Sequence, residues 1–351
     1  MSHSICHDVM CIVDLLCWCQ YKCECCSVLW SCPASASTRL ESETGSASSS
    51  IMAEQVLTRV TTKEQLLALA NVLAGDFPLS VTIYNCLIFH VQDWLSCMNF
   101  FTLDDPSHSH AVIMQMINLP SFVFVYCRES EVNSLIQAIK KTNQLMKQED
   151  LIYTVPHYLE EPLQMLAQEM EICVNTNIVH RFIYQPHLDT DPLRCGPGFR
   201  VCRLGKAGLQ QLLLKSTFLN NKIPEESMLR LTENVPAVGV YLDPSVTKEV
   251  FLDIQNLPYA GDNEIPVSWI SPTVYGTLGM LGTEKDFRRL GHATLVTRVA
   301  ARLFANKGCI PLCHIVKNNT ASKEMFKKMT EWQLIRSEIS LTSAETKKNI
   351  N

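Results

Sequence analysis

Apolar positions recur along this chain at helical spacing in some segments and as continuous runs in others. Residues 61–75, TTKEQLLALANVLAG, have apolar residues at helical spacing and place Thr62 three positions before Gln65. This spacing matches a capping box, and Gly75 follows the last apolar residue, so the segment predicts a capped amphipathic helix. A second helix-like segment covers residues 130–146. Apolar runs typical of buried strands occupy residues 80–91, 111–119 and 122–128.

A second series of elements begins after the turn-rich segment 186–198, PHLDTDPLRCGPG. Strand-like and helix-like segments follow at 199–204, 207–216, 266–270, 275–283, 294–306, 309–316 and 319–329. Gly308 comes just after the helix-like segment 294–306, where a left-handed residue is expected. We therefore predict an α/β fold with a mixed sheet, built from an N-terminal domain (52–185), a linker (186–198) and a C-terminal domain (199–345).

The first 51 residues differ in composition from the rest of the chain. They hold eight of its 16 cysteines and end in a small-polar run, SASTRLESETGSASSS, shortly before Met52. The cysteines lack the paired spacing of a zinc site, and no basic segment precedes the apolar residues as it does in a signal peptide. We expect residues 1–51 to be a disordered Cys/Ser-rich extension or the product of an upstream translation start.

The composition is that of a globular protein, and the net charge argues against nucleic-acid and membrane binding. Of the 351 residues, 47% are apolar and 19% charged, and the formal net charge is -5. This charge gives no positive field for nucleic acid or an anionic membrane, and the apolar runs are well short of the roughly 20 residues that span a bilayer. Cys86, Cys127 and Cys309 lie in apolar surroundings, where reduced cysteine packs as a small core residue. We expect a cytoplasmic location, with a mitochondrial one as the alternative.

The sequence RRLGHA, residues 288–293, lies between a strand-like and a helix-like segment. Backbone amides in the first turn of a helix have no intrahelical partner, and Gly291 would let the backbone approach a ligand closely. Arg288 and Arg289 add positive charge, so the segment is a candidate cradle for a pyrophosphate. The alternative is that Gly291 serves only as a turn residue.

The motif R-x-x-G-x-A over 288–293, followed by a helix, a strand and NNTASKEMFKKM, resembles the GNAT acyltransferase superfamily. VSWISPTVYGTLGMLGTEKDFRRLGHATLV, with HIVKNNTASKEMFKKM downstream, resembles the glycine N-acyltransferase-like branch over about residues 195–335. The segment 52–185 resembles the N-terminal domain of that branch. The resemblance implies two GNAT-like domains in tandem, of which the C-terminal one carries the acyl-CoA motif.

The resemblance also implies a binding site for acyl-CoA or acetyl-CoA as co-substrate, without a metal. The pyrophosphate would bind the backbone amides of Arg288, Arg289, Leu290, Gly291, His292 and Ala293. The pantetheine would pair with Met280, Leu281 and Gly282 and lie near Asn319 and Ser322, where the alternative for Asn319 is helix capping. Gly276, Gly279 and Gly282 are candidate bulge residues, and Pro311 fits the start of the partner strand. The acceptor and acyl group would lie near Trp269, Tyr275 and Thr277.

Two departures from the family pattern concern catalysis. By the resemblance, Thr277 stands where the branch has its proposed catalytic glutamate. Phe326 stands where many GNAT members have a tyrosine that protonates the leaving thiolate. Substitutes for the base would be Glu284, Asp286 or His292, although loop carboxylates are commonly only solvated. Cys309, Cys313 and His314 resemble a set of metal ligands, but neighbours on a strand point to opposite faces, so Cys313 and His314 could not easily share a metal. We expect them to be core residues.

From these features we predict an acyl-CoA-dependent N-acyltransferase that acts on a small amine or an amino acid. The alternative is a catalytically weak or inactive acyl-CoA-binding module that acts through protein partners. No nucleic-acid or membrane partner is expected, and the sequence leaves the oligomeric state and the catalytic residues open.

Overall fold

A computed structural model of the protein describes residues 57–117, 122–142, 152–172, 174–216 and 224–343, all of which belong to one compact unit. The predicted extension over residues 1–51 lies outside these ranges. The first half of the described chain contains β1 (Thr58–Val60), α1 (Lys63–Ala74), α2 (Val81–Val91), β2 (Met98–Thr102), β3 (Val112–Met116), β4 (Phe122–Tyr126), α3 (Val132–Thr142), β5 (Ile152–Pro156), α4 (Glu160–Glu169) and β6 (Val174–Tyr184).

The second half repeats this order of elements, with two short additional strands. It contains β7 (Arg194–Cys195), β8 (Phe199–Arg203), α5 (Lys206–Lys215), α6 (Glu225–Asn234), β9 (Val238–Leu242), β10 (Val250–Phe251), β11 (Ser268–Pro272), β12 (Leu278–Thr283), α7 (His292–Ala305), β13 (Leu312–Val316), α8 (Thr320–Lys328) and β14 (Trp332–Ser343). Each half therefore runs strand, two helices, three strands, helix, strand, helix, strand. The predicted fold class, mixed α/β with two similar units in tandem, is confirmed.

The two halves share one sheet, because they exchange their last strands. Twelve strands are ordered β1-β2-β3-β4-β5-β14-β6-β13-β12-β11-β9-β8, and β7 pairs separately with β10. The final strand of the first half, β6, pairs antiparallel with β13 of the second half. The final strand of the second half, β14, pairs antiparallel with β5 of the first. Each half thus needs a strand from the other to complete its part of the sheet.

The residues that predict helix ends in the sequence lie at helix ends in the structure. Thr62 Oγ1 accepts from Gln65 N at 3.2 Å, and Gln65 Oε1 accepts from Thr62 N at 3.2 Å, so the capping box of α1 is present. Helix α7 starts at His292, two residues before the predicted segment 294–306, and Gly308 after it has φ +79°. These features depend on residues three or four apart, which is why the sequence alone predicts them.

The prediction of a strand at 80–91 is wrong, because Val81–Val91 form helix α2. Ten of the eleven residues in this helix are buried. A helix that is covered on every side has no polar stripe, so its sequence reads as the continuous apolar run of a buried strand.

The segment predicted as a linker, 186–198, is anchored to helix α7. Arg302 donates two hydrogen bonds to the carboxylate of Asp189, at 2.7 and 2.8 Å, and the Tyr184 hydroxyl donates a third at 2.6 Å. The Asp189 side chain is fully buried. Burial by itself would raise the pKa of this carboxyl, but the hydrogen bonds from Arg302 and Tyr184 outweigh it and hold the pKa below the usual value.

The scattered cysteines behave as expected in the described ranges. Cys86, Cys127 and Cys309 are buried and free of disulfide bonds. No described helix has both the length and the apolar character needed to cross a membrane. Within the same residues, no group of three or more His, Cys, Asp or Glu side chains could hold a metal ion.

Candidate active site

Parallel strands β12 and β13 separate soon after they meet, and we call this pair the strand fork. Their register contains one pair, Leu278 with Cys313. Beyond it a cavity of about 460 Å³ opens between them. Its described lining consists of Phe122, Phe124, Thr154, Val179, Lys215, Ser216, Trp269, Ile270, Tyr275, Thr277, Leu278, Gly279, Met280, Leu281, Gly282, Cys313, His314, Ile315, Val316, Asn319, Ser322 and Phe326. Backbone on the inner edges of the fork is therefore available to pair with a ligand.

A β-bulge lies in β12 beside the cavity. The register with β11 shifts between the pairs Trp269–Gly282 and Ser271–Gly279, and Met280 has φ +53°. Bulges bend a strand and change the direction of its side chains, and they are frequent next to functional sites. A non-glycine residue with positive φ is uncommon. Gly282 is required for packing, because a Cβ there would overlap the indole ring of Trp269. The predicted bulge is thus present between Gly279 and Gly282, and the residue with positive φ inside it is Met280.

The loop after β12, the candidate cradle, has left-handed backbone at two positions beside the start of α7. Arg289 and Gly291 have φ values of +66° and +84°, and the first helical hydrogen bond of α7 runs from Leu295 N to Gly291 O at 3.0 Å. A Cβ at Gly291 would have no atom within 4 Å, so the space above the helix start is open. Arg288 is less available, because its amide donates to Lys285 O at 3.4 Å and its Nε donates to Thr283 O at 3.1 Å.

His292 faces inward beneath the cradle. Its side chain is 8% exposed and packs on Phe199, with ring centroids 4.4 Å apart. Burial lowers the pKa of His292, which favours the neutral imidazole. The ring is not among the described residues that line the cavity, and it packs on Phe199 beside the start of α7.

Asn319 and Ser322 line the cavity on the β13 side of the fork. The Asn319 side chain accepts a hydrogen bond from Ser322 N at 3.2 Å and caps helix α8. The capping alternative considered from the sequence is therefore present, and it leaves both residues at the cavity wall. Pro311 directly precedes β13, as expected, and its carbonyl accepts from Tyr184 N at 3.0 Å.

Thr277 and Tyr275 form the inner end of the cavity. The hydroxyls of Thr277 and Thr273 are 2.8 Å apart, and both side chains are buried. Tyr275 stacks on Phe124 of the first half, with ring centroids 6.0 Å apart and an angle of 25° between the rings. Burial raises the pKa of Tyr275 to about 12, so its phenol remains protonated at neutral pH.

The two departures from the family pattern have clear structural settings. Phe326 is 2% exposed and packs between Phe182 and Trp332, at centroid distances of 5.3 and 4.9 Å. It fills an apolar site and has no hydroxyl at the position where the resemblance implies a proton-donating tyrosine. Thr277 carries no carboxylate, and its hydroxyl is already bonded within the loop that precedes β12.

None of the three candidate bases is among the described residues that line the cavity. The carboxylate of Glu284 accepts a hydrogen bond from Gln211 at 2.5 Å and forms an ion pair with Lys215. Asp286 is exposed on the loop after β12, and the ring of His292 is packed on Phe199. The structure therefore brings none of these groups to the inner end of the cavity.

Several cavity residues were not identified from the sequence. Phe122, Phe124, Thr154 and Val179 come from the first half of the chain, and Lys215 ends helix α5. His314, expected in the core, also lines the cavity, and burial together with the Arg181 guanidinium lowers its pKa to about 3. No local signal marks these residues, because their proximity depends on strands that are distant in sequence.

The equivalent position in the first half of the chain is closed. Strands β4 and β5, which correspond to β12 and β13, share three consecutive registered pairs. The turn from β4 to α3 contains Glu129 and Glu131 in place of a glycine-containing basic loop. Carboxylates at this position repel a phosphate, so within the described residues of the first half we find neither an open fork nor a basic loop like 288–293.

Residues 259–338 match a family model described as FR47-like protein. A search of curated proteins found no match. Among solved structures, the X-ray structure of a Drosophila protein has a TM-score of 0.66 at 11% sequence identity, covering 83% of this chain and 99% of that one. At this identity the similarity shows the fold alone.

Two further structures have lower scores. A GCN5-related N-acetyltransferase-like protein from Streptococcus suis has a TM-score of 0.45 at 13% identity and covers 81% of this chain and 100% of its own. A tandem GNAT protein from the clavulanic acid biosynthesis pathway has a TM-score of 0.46 at 10% identity and covers 82% of this chain and 97% of its own.

Proposed function

We propose that this protein is an acyl-CoA-dependent N-acyltransferase of the glycine N-acyltransferase-like branch, which transfers an acyl group from coenzyme A to a small amine or an amino acid. The observation that carries the proposal is the continuity of the strand fork with the cradle. Strand β12 lines the cavity, and its end leads through a short turn into residues 288–293. A ligand that has both a pyrophosphate and an extended amide-bearing arm would fit this combination.

The pyrophosphate would bind at the start of α7. Amides of Arg289, Leu290, Gly291, His292 and Ala293 would donate to it, and the guanidinium groups of Arg288 and Arg289 would add charge. A helix N-terminus contributes only about 0.3–1 kcal/mol per charge at an exposed site. Several converging amides and two arginines are therefore needed to hold the anion, which supports a role for the whole loop rather than for one residue.

The pantetheine arm would occupy the strand fork. Met280, Leu281 and Gly282 would pair with its amides along the edge of β12, while Asn319 and Ser322 would border it on the other side. The bulge at Met280 supports this assignment, because it interrupts the regular alternation of backbone groups in β12.

When bound, acyl-CoA would supply a thioester carbonyl for attack by the acceptor amine. A backbone N–H between Leu278 and Leu281 would polarise that carbonyl, and Trp269, Tyr275 and Thr277 would border the acyl group and the acceptor. Without a carboxylate at the inner end, the chain would act mainly by positioning. An amine with a pKa of about 8 is roughly a tenth neutral at pH 7, so attack can proceed without an enzyme base.

A ligand screen followed by an activity assay tests the proposal. The full chain is titrated with acetyl-CoA and longer acyl-CoAs, and ligand at 100 times its Kd should stabilise the fold by about 2.7 kcal/mol. Release of free thiol is then measured with a panel of amines and amino acids. Failure of every acyl-CoA to bind would reject the proposal. Binding without thiol release for any acceptor would favour a binding module that acts through partners.

A further inference from the structure

Asn85 connects helix α2 of the first half to both strands of the fork. Its Nδ2 donates to Gly276 O at 2.7 Å and to Ile310 O at 2.8 Å, and its Oδ1 accepts from Ile310 N at 2.9 Å. Gly276 lies two residues before β12, and Ile310 lies two residues before β13. One buried amide side chain therefore bridges the two segments from which the fork begins.

The packing around Asn85 leaves no free space. The residue is 0% exposed. A Cβ at Gly276, whose φ is +77°, would lie 2.9 Å from Asn85 Cβ, 2.9 Å from Thr82 O and 3.1 Å from Cys86 Sγ. Helix α2 is thus pressed directly onto the backbone before β12, and only glycine fits between them.

The position of this bridge determines what it can control. Leu278 and Cys313, the registered pair of the fork, follow Gly276 and Ile310 by two and three residues. Asn85 does not line the cavity, so it acts through the backbone rather than by contact with a ligand. Three hydrogen bonds thus hold the closed end of the fork, and the strands diverge beyond it.

We propose that Asn85 is a positioning residue through which the N-terminal half sets the geometry of the strand fork. The part of this inference that concerns coenzyme A rests on the proposed function. The first half, which has no open fork of its own, would then contribute to ligand binding by holding the second half in its binding shape.

The test compares Asn85→Asp with Thr82→Val in the full chain. Asp keeps the acceptor for Ile310 N but places an oxygen against two carbonyl oxygens, which breaks both bonds that Nδ2 donates. Thr82 is the matched control, because it is buried in the same helix and its Oγ1 has no hydrogen-bond partner among the described residues. Asn85→Ala is the neutral second variant if the buried carboxylate of Asn85→Asp prevents folding.

The first readout separates the fork from the cradle. Coenzyme A would occupy both, whereas adenosine 3′,5′-bisphosphate lacks the pantetheine arm and would contact only the cradle side. We expect Asn85→Asp to raise the Kd for coenzyme A at least tenfold and the Kd for the bisphosphate less than twofold. Thr82→Val should change neither. Equal weakening of both ligands, or of neither, would overturn the role in positioning the fork.

The second readout does not need a ligand. Hydrogen–deuterium exchange of segments 276–282 and 309–316 should increase at least fivefold in Asn85→Asp and stay at the wild-type rate in Thr82→Val. If the wild-type protein bound no coenzyme A, the proposed function would fail. The exchange result would still test whether Asn85 positions the strand fork. Unchanged exchange in both segments of a folded Asn85 variant would overturn it.

Discussion

Leu278 and Cys313 face each other across β12 and β13, and they are the single registered pair in the fork. The corresponding strands of the first half, β4 and β5, share three such pairs. Each ladder position that is paired within the protein is unavailable to a ligand, since its N–H and C=O groups are already bonded. The two halves therefore differ in how much strand backbone is free to pair with a ligand, and we expect a ligand to pair with the second half.

This asymmetry predicts one coenzyme A per chain. Isothermal titration of the full protein should give a stoichiometry of one, because the first half has a closed strand pair and carboxylates at Glu129 and Glu131. Two equivalent sites per chain would contradict the assignment. An isolated fragment 52–190 is a poor substitute in this experiment, because its β5 and β6 would lose their pairing with β14 and its β6 would also lose β13.

Gly291→Asp is expected to weaken coenzyme A binding at least 100-fold while the protein stays folded. The left-handed backbone at Gly291 costs a non-glycine residue roughly 1–2 kcal/mol, which a protein of this size tolerates. No steric clash is expected, since the space around a Cβ is open. The loss should come from negative charge placed where the phosphate binds.

Gly291→Asn is the matched control for charge. Asn has the shape of Asp and also tolerates the left-handed region, so it should reduce affinity by a smaller factor. Calorimetry measures both affinities, and circular dichroism checks the fold. If the two variants lost equal affinity, steric blocking rather than charge would explain the result, and an unaltered Kd in Gly291→Asp would exclude the loop as the phosphate site.

The rate of acyl transfer should follow the fraction of neutral acceptor amine. It should rise from pH 7 through the pKa of the acceptor and level off above it, because Glu284, Asp286 and His292 do not reach the cavity. Tyr275, with a pKa of about 12, stays protonated over this range, and His314, with a pKa of about 3, stays neutral. Two acceptors with different amine pKa values should give two different inflections. A lower inflection common to both would reveal an enzyme base.

Thr277→Glu tests the absence of an enzyme base by adding a carboxylate to the cavity. A carboxylate that faces the amine should raise kcat by up to roughly 10²-fold, the lower end of general-base catalysis. Thr277→Gln has the same size without the base and should give no such increase. Thr277 is 1% exposed, so a melting curve must show that the variant remains folded. A folded Thr277→Glu protein with unchanged activity would count against the alignment of Thr277 with the family's glutamate.

Arg302→Met should destabilise the fold by about 3–5 kcal/mol at pH 7, because it leaves the buried Asp189 carboxylate without its charged partner. The pKa of Asp189 is lowered in the folded state, so the stability from this pair is present above the unfolded pKa near 3.9 and is lost as the pH falls through the folded value. Urea denaturation at pH 7 and pH 3 should therefore show a smaller difference between variant and wild type at pH 3.

Lys140→Met is the control for a surface ion pair. Lys140 and Glu169 are each about half exposed, and such pairs contribute at most about 1 kcal/mol. The variant should change the free energy of unfolding by less than that at both pH values. An Arg302→Met protein as stable as Lys140→Met would show that the segment 186–198 does not depend on its buried anchor.

The sequence by itself determined the features that depend on neighbouring residues. The capping box of Thr62 and Gln65, the start of α7 beside Gly291 and the left-handed Gly308 all follow from side-chain and backbone geometry within a few positions. The motif over 288–293 was identifiable for the same reason, because a strand, a glycine turn and a helix are contiguous there. The fold class followed from the order of such segments.

Tertiary structure alone decided the features that join distant segments. The sequence of helix α2 resembles that of a strand because the helix is buried on all sides. Such burial removes the apolar periodicity that distinguishes a helix from a strand. Asn85 is 191 residues from Gly276 and 225 from Ile310, and Lys215 is 69 from Glu284, so no local pattern marks these pairs. The exchange of β6 and β14 likewise joins strands that are distant in sequence, and no local pattern marks it. The sequence of a strand does not show which distant strand it will pair with. The shape of the cavity therefore depends on the assembled sheet.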